Sequence, residues 1–256
     1  MDHSAAVGAV RKLLDRHAVG LGERGRRCPR ADAAERVSRE IHRRFLRRFV
    51  DRGDRVLEIG AGVDRFTTEL AARGCRVVVT DSSSARLAAH ERRVRATPAE
   101  RAVLRREVLD GTDVSRYADG EFDAVLAYGG PLAAAHRGAA TVLRGLLRVV
   151  APDGVVVASV PSQLGAWRHG PHLDGDGRPG ERRYRWSDVV ALVEEAGGRL
   201  VDGSASNWAS AGEPEWLADV AADRDRWRRF LEREVAACAE PGARDGGPRI
   251  LFAARN

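Results

Sequence analysis

The sequence predicts an open α/β sheet, mostly parallel, with helices on both faces. Three observations predict it. Short β-branched runs alternate with helical segments of about ten to fifteen residues, the pattern of parallel strand–helix–strand units. A glycine turn, Gly60-Ala61-Gly62, follows the first of these runs directly. The chain has 256 residues, 43% of them hydrophobic. That is enough for one well-buried domain with added elements and too little for two large ones.

In chain order, residues 5–18 read as a helix carrying Val7, Val10, Leu13 and Leu14. Residues 19–31 hold Gly20, Gly22, Gly25 and Pro29 and read as a loop. Asp32 is placed to cap the next helix, in which Val37, Ile41, Phe45 and Phe49 recur every four residues up to Gly53. Residues 1–53 are therefore expected to form an N-terminal helical cover, and 54–256 the main domain.

The first strand is Val56–Ile59, followed by the glycine turn and a helix at about 65–73. Val77–Thr80 is the second, followed by a helix at about 83–96. Val103–Leu109 is a weaker third. Asp123–Ala127 is the fourth, with a helix at about 137–150 after it, and Val155–Val160 is the fifth. A helix at about 187–197, a strand at about 199–204, a helix at about 214–238 and a last strand, Arg249–Ala253, complete the pattern. The segment from Ser162 to Arg183 has five glycines, two prolines and no periodicity. A long loop at the carboxyl end of a strand reads as a lid or substrate loop, at about 162–185. There are no internal repeats.

Composition narrows the setting. No run approaches the ~18 apolar residues of a membrane span, and Met1-Asp2-His3-Ser4 is no secretory leader. Cys28, Cys75 and Cys238 are widely separated and odd in number. They form neither a zinc pattern nor a disulfide framework, so no metal is expected and the cytoplasm is the natural compartment. The net charge of +6 invites a nucleic-acid reading. All but Lys12 of the 43 basic residues are arginine, however, the bias a GC-rich coding sequence gives, and acids are interspersed with them. They read as solvated faces rather than as a polyanion-binding surface.

The chemistry gathers at the first turn, Glu58-Ile59-Gly60-Ala61-Gly62-Val63-Asp64-Arg65. Its glycines let the backbone turn tightly and approach a ligand. The helix after them offers unpaired N–H groups to an anionic group. Asp81 ends the second strand 21 residues after Gly60, where an acid can bond both hydroxyls of a ribose. A nucleoside-containing cofactor is indicated. The third glycine of a dinucleotide fingerprint is replaced by Arg65, and no Gly-Lys-Ser/Thr follows to make a phosphate loop. Glu58 suits a ligand with an ammonium and a sulfonium and would repel a pyrophosphate.

Here the chain resembles the class I S-adenosylmethionine-dependent methyltransferases. The likeness lies in Glu58-Ile59-Gly60-Ala61-Gly62, in Asp81, in Leu109-Asp110-Gly111-Thr112-Asp113-Val114, in Glu121-Phe122-Asp123-Ala124-Val125-Leu126, and in Leu147-Arg148-Val149-Val150-Ala151-Pro152-Asp153-Gly154. It covers about residues 40–160. It implies a Rossmann-like three-layer sandwich with a mostly parallel seven-stranded sheet. It also implies roles. Gly60, Ala61 and Gly62 line the methionine half of S-adenosylmethionine, and Glu58 helps orient it. Asp81 holds the ribose, with Ser82 beside the adenine. Asp110 accepts from the adenine amino group and Gly111 brings its backbone to the ring. Ala127 and Tyr128 lie near the sulfonium. One position departs from the family: Asp64 stands where a third glycine is usual.

Methyl transfer from a sulfonium needs alignment and exclusion of water more than it needs a base. If a base is used, His172 in the lid is the first candidate and His169 the second, with exposed loop histidines as the competing reading. Tyr128 is placed to position a substrate or to cover the sulfonium, or simply to pack. His136 is a weaker candidate at a helix start. Trp167, Tyr184, Trp186 and Trp208 are either an aromatic substrate wall or packing. The tetrad after the fourth strand is Tyr128-Gly129-Gly130-Pro131, not the D/N-P-P-Y type of macromolecular amine methylation. The expected acceptor is a small molecule, as in natural-product tailoring, with no membrane partner and a homo-oligomer compatible. The alternatives are a non-methylating relative or regulator, a nucleic-acid protein and a nicotinamide oxidoreductase.

Overall fold

The computed structural model describes residues 29–169, 181–212 and 214–256. The expected first helix at 5–18 and residues 170–180 of the lid, including His172, lie outside the described residues. Helix α1 spans Pro29–Leu46. It starts before Asp32, which is therefore inside the helix and not its cap. Proline suits a first helical position, because its fixed φ is already helical and its missing N–H has no helical partner there.

Seven strands follow: β1 Arg55–Ile59, β2 Arg76–Asp81, β3 Val103–Val108, β4 Phe122–Ala127, β5 Val150–Pro161, β6 Arg199–Ser206 and β7 Arg249–Arg255. They form one sheet in the order β3-β2-β1-β4-β5-β7-β6. All neighbours are parallel except that β7 runs antiparallel between β5 and β6. The order reverses between β1 and β4, and ligands in open α/β sheets bind at such a reversal, outside the carboxyl ends of the strands.

The intervening helices are α2 Thr67–Arg73, α3 Ser84–Val94, α4 Pro131–Ala134, α5 Ala139–Val149, α6 Gln163–His169, α7 Trp186–Glu195, α8 Pro214–Ala222 and α9 Arg224–Ala239. The single helix expected at 214–238 is two. Asp223 is extended (φ −108, ψ 121) and its side chain accepts from the Arg226 amide, so it caps a new helix. The expected structureless lid begins with α6, and an isolated bridge joins Ser162 to Tyr184.

Alternation along the strands sends side chains to two buried layers. Leu57, Ile59, Val125, Val156 and Phe252 pack with Leu143 and Leu146 of α5 and Val189 and Val193 of α7. Val56, Val77, Val79, Leu126 and Leu251 pack with Val37, Ile41 and Phe45 of α1, Leu70 of α2 and Leu217 of α8. The four-residue period of α1 thus becomes its inward face, and each such side chain contributes about 1.5–3 kcal/mol of burial. Glu58 alternates onto the second layer, beneath α2 and α3.

Candidate functional site

The turn after β1 is held by backbone. Gly60 and Ala61 donate to the Thr80 carbonyl at 2.9 and 3.0 Å, tying the loop to the end of β2. Gly60 and Gly62 have φ of +70° and +61°, in the left-handed region where glycine is unstrained. A Cβ on Gly60 would sit 2.9 Å from the Cα of Gly129, and one on Gly129 would sit 2.8 Å from the Ile59 carbonyl. The turns after β1 and β4 therefore touch backbone to backbone, which only two glycines permit. Gly111, after β3, is pressed against Ile59 and Pro131.

Asp81 lies at the end of β2, 2% exposed. It accepts from the Gly62 amide at 3.0 Å and the Ser83 amide at 2.9 Å, and Arg86 stands 3.7 Å away. The glycine loop is thus folded down onto the carboxylate. Ser82 is exposed beside it. Asp110 is exposed, and one of its oxygens accepts from the amide and hydroxyl of Thr112 at 3.0 and 2.9 Å. Its other oxygen has no protein partner among the described residues.

Asp64 has a φ of +73° and caps α2. Its two oxygens take the Thr68 amide at 3.0 Å and the Thr68 hydroxyl at 2.8 Å, and Arg93 lies 3.6 Å away. The carboxylate is turned to the helix, and Arg93 is the cation beside it.

Glu58 is 2% exposed and begins a buried polar chain that sequence reading did not find. The Thr67 hydroxyl donates to its Oε2, and Thr67 Oγ1 lies 2.8 Å from Nε2 of His90. Arg106 donates to Nδ1 of His90 at 3.2 Å, so the ring carries its proton on Nε2 and passes it toward Thr67. Oε1 of Glu58 has no partner among the described residues. Burial pushes the Glu58 carboxyl up to about 7, only partly opposed by the Thr67 hydrogen bond. Burial, then the Arg106 charge, lowers His90. The sequence did carry a signal for His90, which shares the inner stripe of α3 with Leu87 and Val94.

Tyr128, just past β4, is 3% exposed under α1. Its hydroxyl donates to the His42 carbonyl at 3.2 Å and its ring meets those of His42 and Phe66 edge-on at 4.7 and 5.0 Å. Burial raises its hydroxyl well above the ordinary value. Ala127 points into the first core layer. His42, also missed, is buried, its Nδ1 donating to the Ser38 carbonyl at 2.8 Å. Burial lowers it to about 3, and Arg65 and Arg249 push the same way. Of the aromatic residues expected near the lid, Tyr184 is buried with its hydroxyl on the Leu132 carbonyl, and Trp186 packs on Gly203. Trp208 lies under the Arg168 guanidinium, and Trp167 is 66% exposed. They do not form one wall.

S-adenosylmethionine fits this arrangement by the chemistry of its donors. It brings ribose hydroxyls, an adenine amino group and an ammonium. The site brings the carboxylates of Asp81 and Asp110, a partnerless oxygen on Glu58, and a cradle at Gly60 that a Cβ would fill. Among the described residues no cluster could hold a metal ion, and no helix is long and apolar enough to cross a membrane.

Residues 56–154 match the family described as "Methyltransferase domain". No curated protein matches the chain in sequence. Solved structures do match it in fold. A methyltransferase in complex with the Trm112 activator of Haloferax volcanii has a TM-score of 0.61 at 18% identity, over 88% of this chain and 94% of that one. The [4+2]-cyclase SpnF has a TM-score of 0.58 at 18% identity, over 85% and 81%. The 1,6-didemethyltoxoflavin-N1-methyltransferase of Burkholderia thailandensis, with its substrate and S-adenosylhomocysteine bound, has a TM-score of 0.55 at 18% identity, over 100% and 91%. Residues 56–154 are thus similar to a methyltransferase domain, and the sheet built around them has the fold of these solved structures.

Proposed function

We propose that the chain transfers a methyl group from S-adenosylmethionine to a small-molecule acceptor, of the kind modified in natural-product biosynthesis. The observation that carries this reading is the placement of a buried carboxylate, Asp81, directly beneath a two-glycine turn at the point where the strand order reverses. In this reading Asp81 holds the ribose and Gly62 releases its amide from that carboxylate as the ligand enters. Gly60, Ala61 and Gly62 line the methionine half. Asp110, through its free oxygen, and the Gly111 backbone meet the adenine, with Ser82 alongside. Glu58 faces the positive end with its partnerless oxygen. Ala127 contributes backbone only, since its methyl is in the core.

When bound, the sulfonium supplies an already activated methyl group. The protein's part is to orient the acceptor and exclude water. Tyr128 does so with its ring, because its hydroxyl is engaged by His42 and held far from ionisation. His172, which lies outside the described residues, remains the candidate base. The tetrad Tyr128-Gly129-Gly130-Pro131 argues against nucleic-acid bases as acceptors. We place the protein in the cytoplasm, with α1 as part of an N-terminal helical cover on the sheet.

A second reading is favoured by one comparison: a cyclase shares this fold. The chain would then bind the cofactor without spending its methyl. Calorimetric titration with S-adenosylmethionine and S-adenosylhomocysteine tests both. Binding that Asp81→Ala abolishes, while its circular dichroism stays unchanged, supports the site. Absence of binding to either ligand removes both readings. Following a labelled methyl group in the presence of candidate acceptors then separates transfer from mere binding.

A further inference from the structure

Away from the glycine turn, α8, α9 and the segment after β6 enclose an open groove of about 390 Å³. That is the size of a small-molecule pocket. Its floor is aromatic. Trp216 of α8 meets Phe230 of α9 edge-on at 5.3 Å, and Trp208 follows β6. Trp216 is 42% exposed and presents its ring to the groove.

The rim is cationic. Arg226, Arg229 and Arg233 lie on one face of α9 and all line the groove. None of the three forms an ion pair among the described residues. One acid, Glu234, also lines it. Its carboxylate is 2% exposed and fully engaged, accepting from the amides of Ala209 and Ser210 and, at 2.8 Å, from the Ser210 hydroxyl. It anchors the segment after β6 to α9 and does not neutralise the rim. The groove therefore presents stacking surface beside three guanidinium groups that form no ion pair among the described residues, with only the exposed Asp223 charge near Arg226 and Arg229.

We propose that this groove binds a planar aromatic anion, a small aromatic acid whose ring stacks on Trp216 and Phe230 while its carboxylate is held by Arg229 and Arg233. Guanidinium groups match carboxylates with paired, charge-assisted hydrogen bonds, and the aromatic floor accepts a flat ring edge-on or offset. No residue of the glycine turn lines the groove, so the proposal stands apart from cofactor binding.

The test is calorimetric titration of the full chain with naphthoate and with the neutral, near-isosteric naphthamide. Naphthoate should bind with unit stoichiometry and at least about tenfold more tightly than naphthamide, the size expected of a charge-assisted pair. The double variant Arg229→Gln/Arg233→Gln should lose that margin and keep its naphthamide binding, which also shows that it folds. Trp216→Leu should weaken both ligands. Equal binding of the two probes, an unaltered margin in the arginine variant, no binding of naphthoate, or its displacement by S-adenosylhomocysteine would each overturn the proposal.

Discussion

The glycine-turn end of the sheet and the cover made by α1, α8 and α9 are built in opposite ways. At the turn, shape comes from backbone: left-handed glycines, two backbone segments in contact, and carboxylates whose partners lie mostly on the turn, β2 and the helices that follow them. In the cover, shape comes from side chains brought together over long stretches of sequence. Asn207 holds the Ala34 carbonyl at 2.9 Å across 173 residues, and Tyr128 holds that of His42 across 86. The first region is specified where it stands. The second exists only once the sheet has formed.

Glu58 in the first region and His42 in the second should respond to pH with opposite sign. Glu58 loses its proton near 4.5 when unfolded and at about 7 when folded. Between those values the folded state holds more protons, so stability falls as pH rises, by about 3 kcal/mol in all. His42 gains its proton near 6.5 unfolded and at about 3 folded. Its contribution is complete above 6.5 and is lost as pH falls toward 3. The two slopes oppose each other between about 4.5 and 6.5. Glu58→Gln should therefore turn a flattened profile into one that climbs steadily with pH up to 6.5, read by urea denaturation at several pH values. A variant profile parallel to the wild type would show that Glu58 is not held near 7, and the contrast between the regions would fail.

A smaller effect isolates the backbone contact. Gly129→Ala places a methyl group 2.8 Å from both the Ile59 carbonyl and the Gly60 Cα. Backbone cannot yield as a side chain can, so a loss of about 1–3 kcal/mol is expected. Affinity for S-adenosylhomocysteine should fall as well, because the displaced element is the cradle itself, whereas naphthoate binding at the α8–α9 groove should be unchanged. Retained cofactor affinity would mean that the touching turns are packing alone.

The same division explains what the sequence disclosed. The strand–helix alternation, the turn at Gly60 and the acid at Asp81 could be read directly because each depends on a few consecutive residues. A mostly parallel seven-stranded sheet followed from the family likeness; the antiparallel place of β7 between β5 and β6 was not read from the residues Arg249–Ala253. The break at Asp223 was missed because Ala221 and Ala222 carry no stop signal and the helical period continues through it. His90 and His42 were missed for a different reason: their roles depend on partners from other elements, Arg106 in one case and the Tyr128 ring in the other. The groove brings together Trp208, Trp216 and Arg229, which nothing in their spacing connects.

Asp64 is the position where the two kinds of construction meet, and it gives the smallest prediction. It departs from the family's third glycine, yet it keeps the left-handed conformation and adds what glycine cannot, a cap on Thr68. Asp64→Gly should relieve the strain of a non-glycine residue at φ +73° and lose the cap. Each is worth about 0.5–2 kcal/mol and they oppose each other, so the melting temperature should move little. Asp64→Asn keeps part of the cap and removes the charge. If the carboxylate is as fully engaged by Thr68 and Arg93 as its distances indicate, Asn and Gly should bind S-adenosylhomocysteine within about threefold of the wild type, less than half the effect of one charge-assisted hydrogen bond. A tenfold gain on removing the charge would show instead that Asp64 faces the ligand's own carboxylate. The departure from glycine would then be a brake on cofactor binding and not a substitute for a cap.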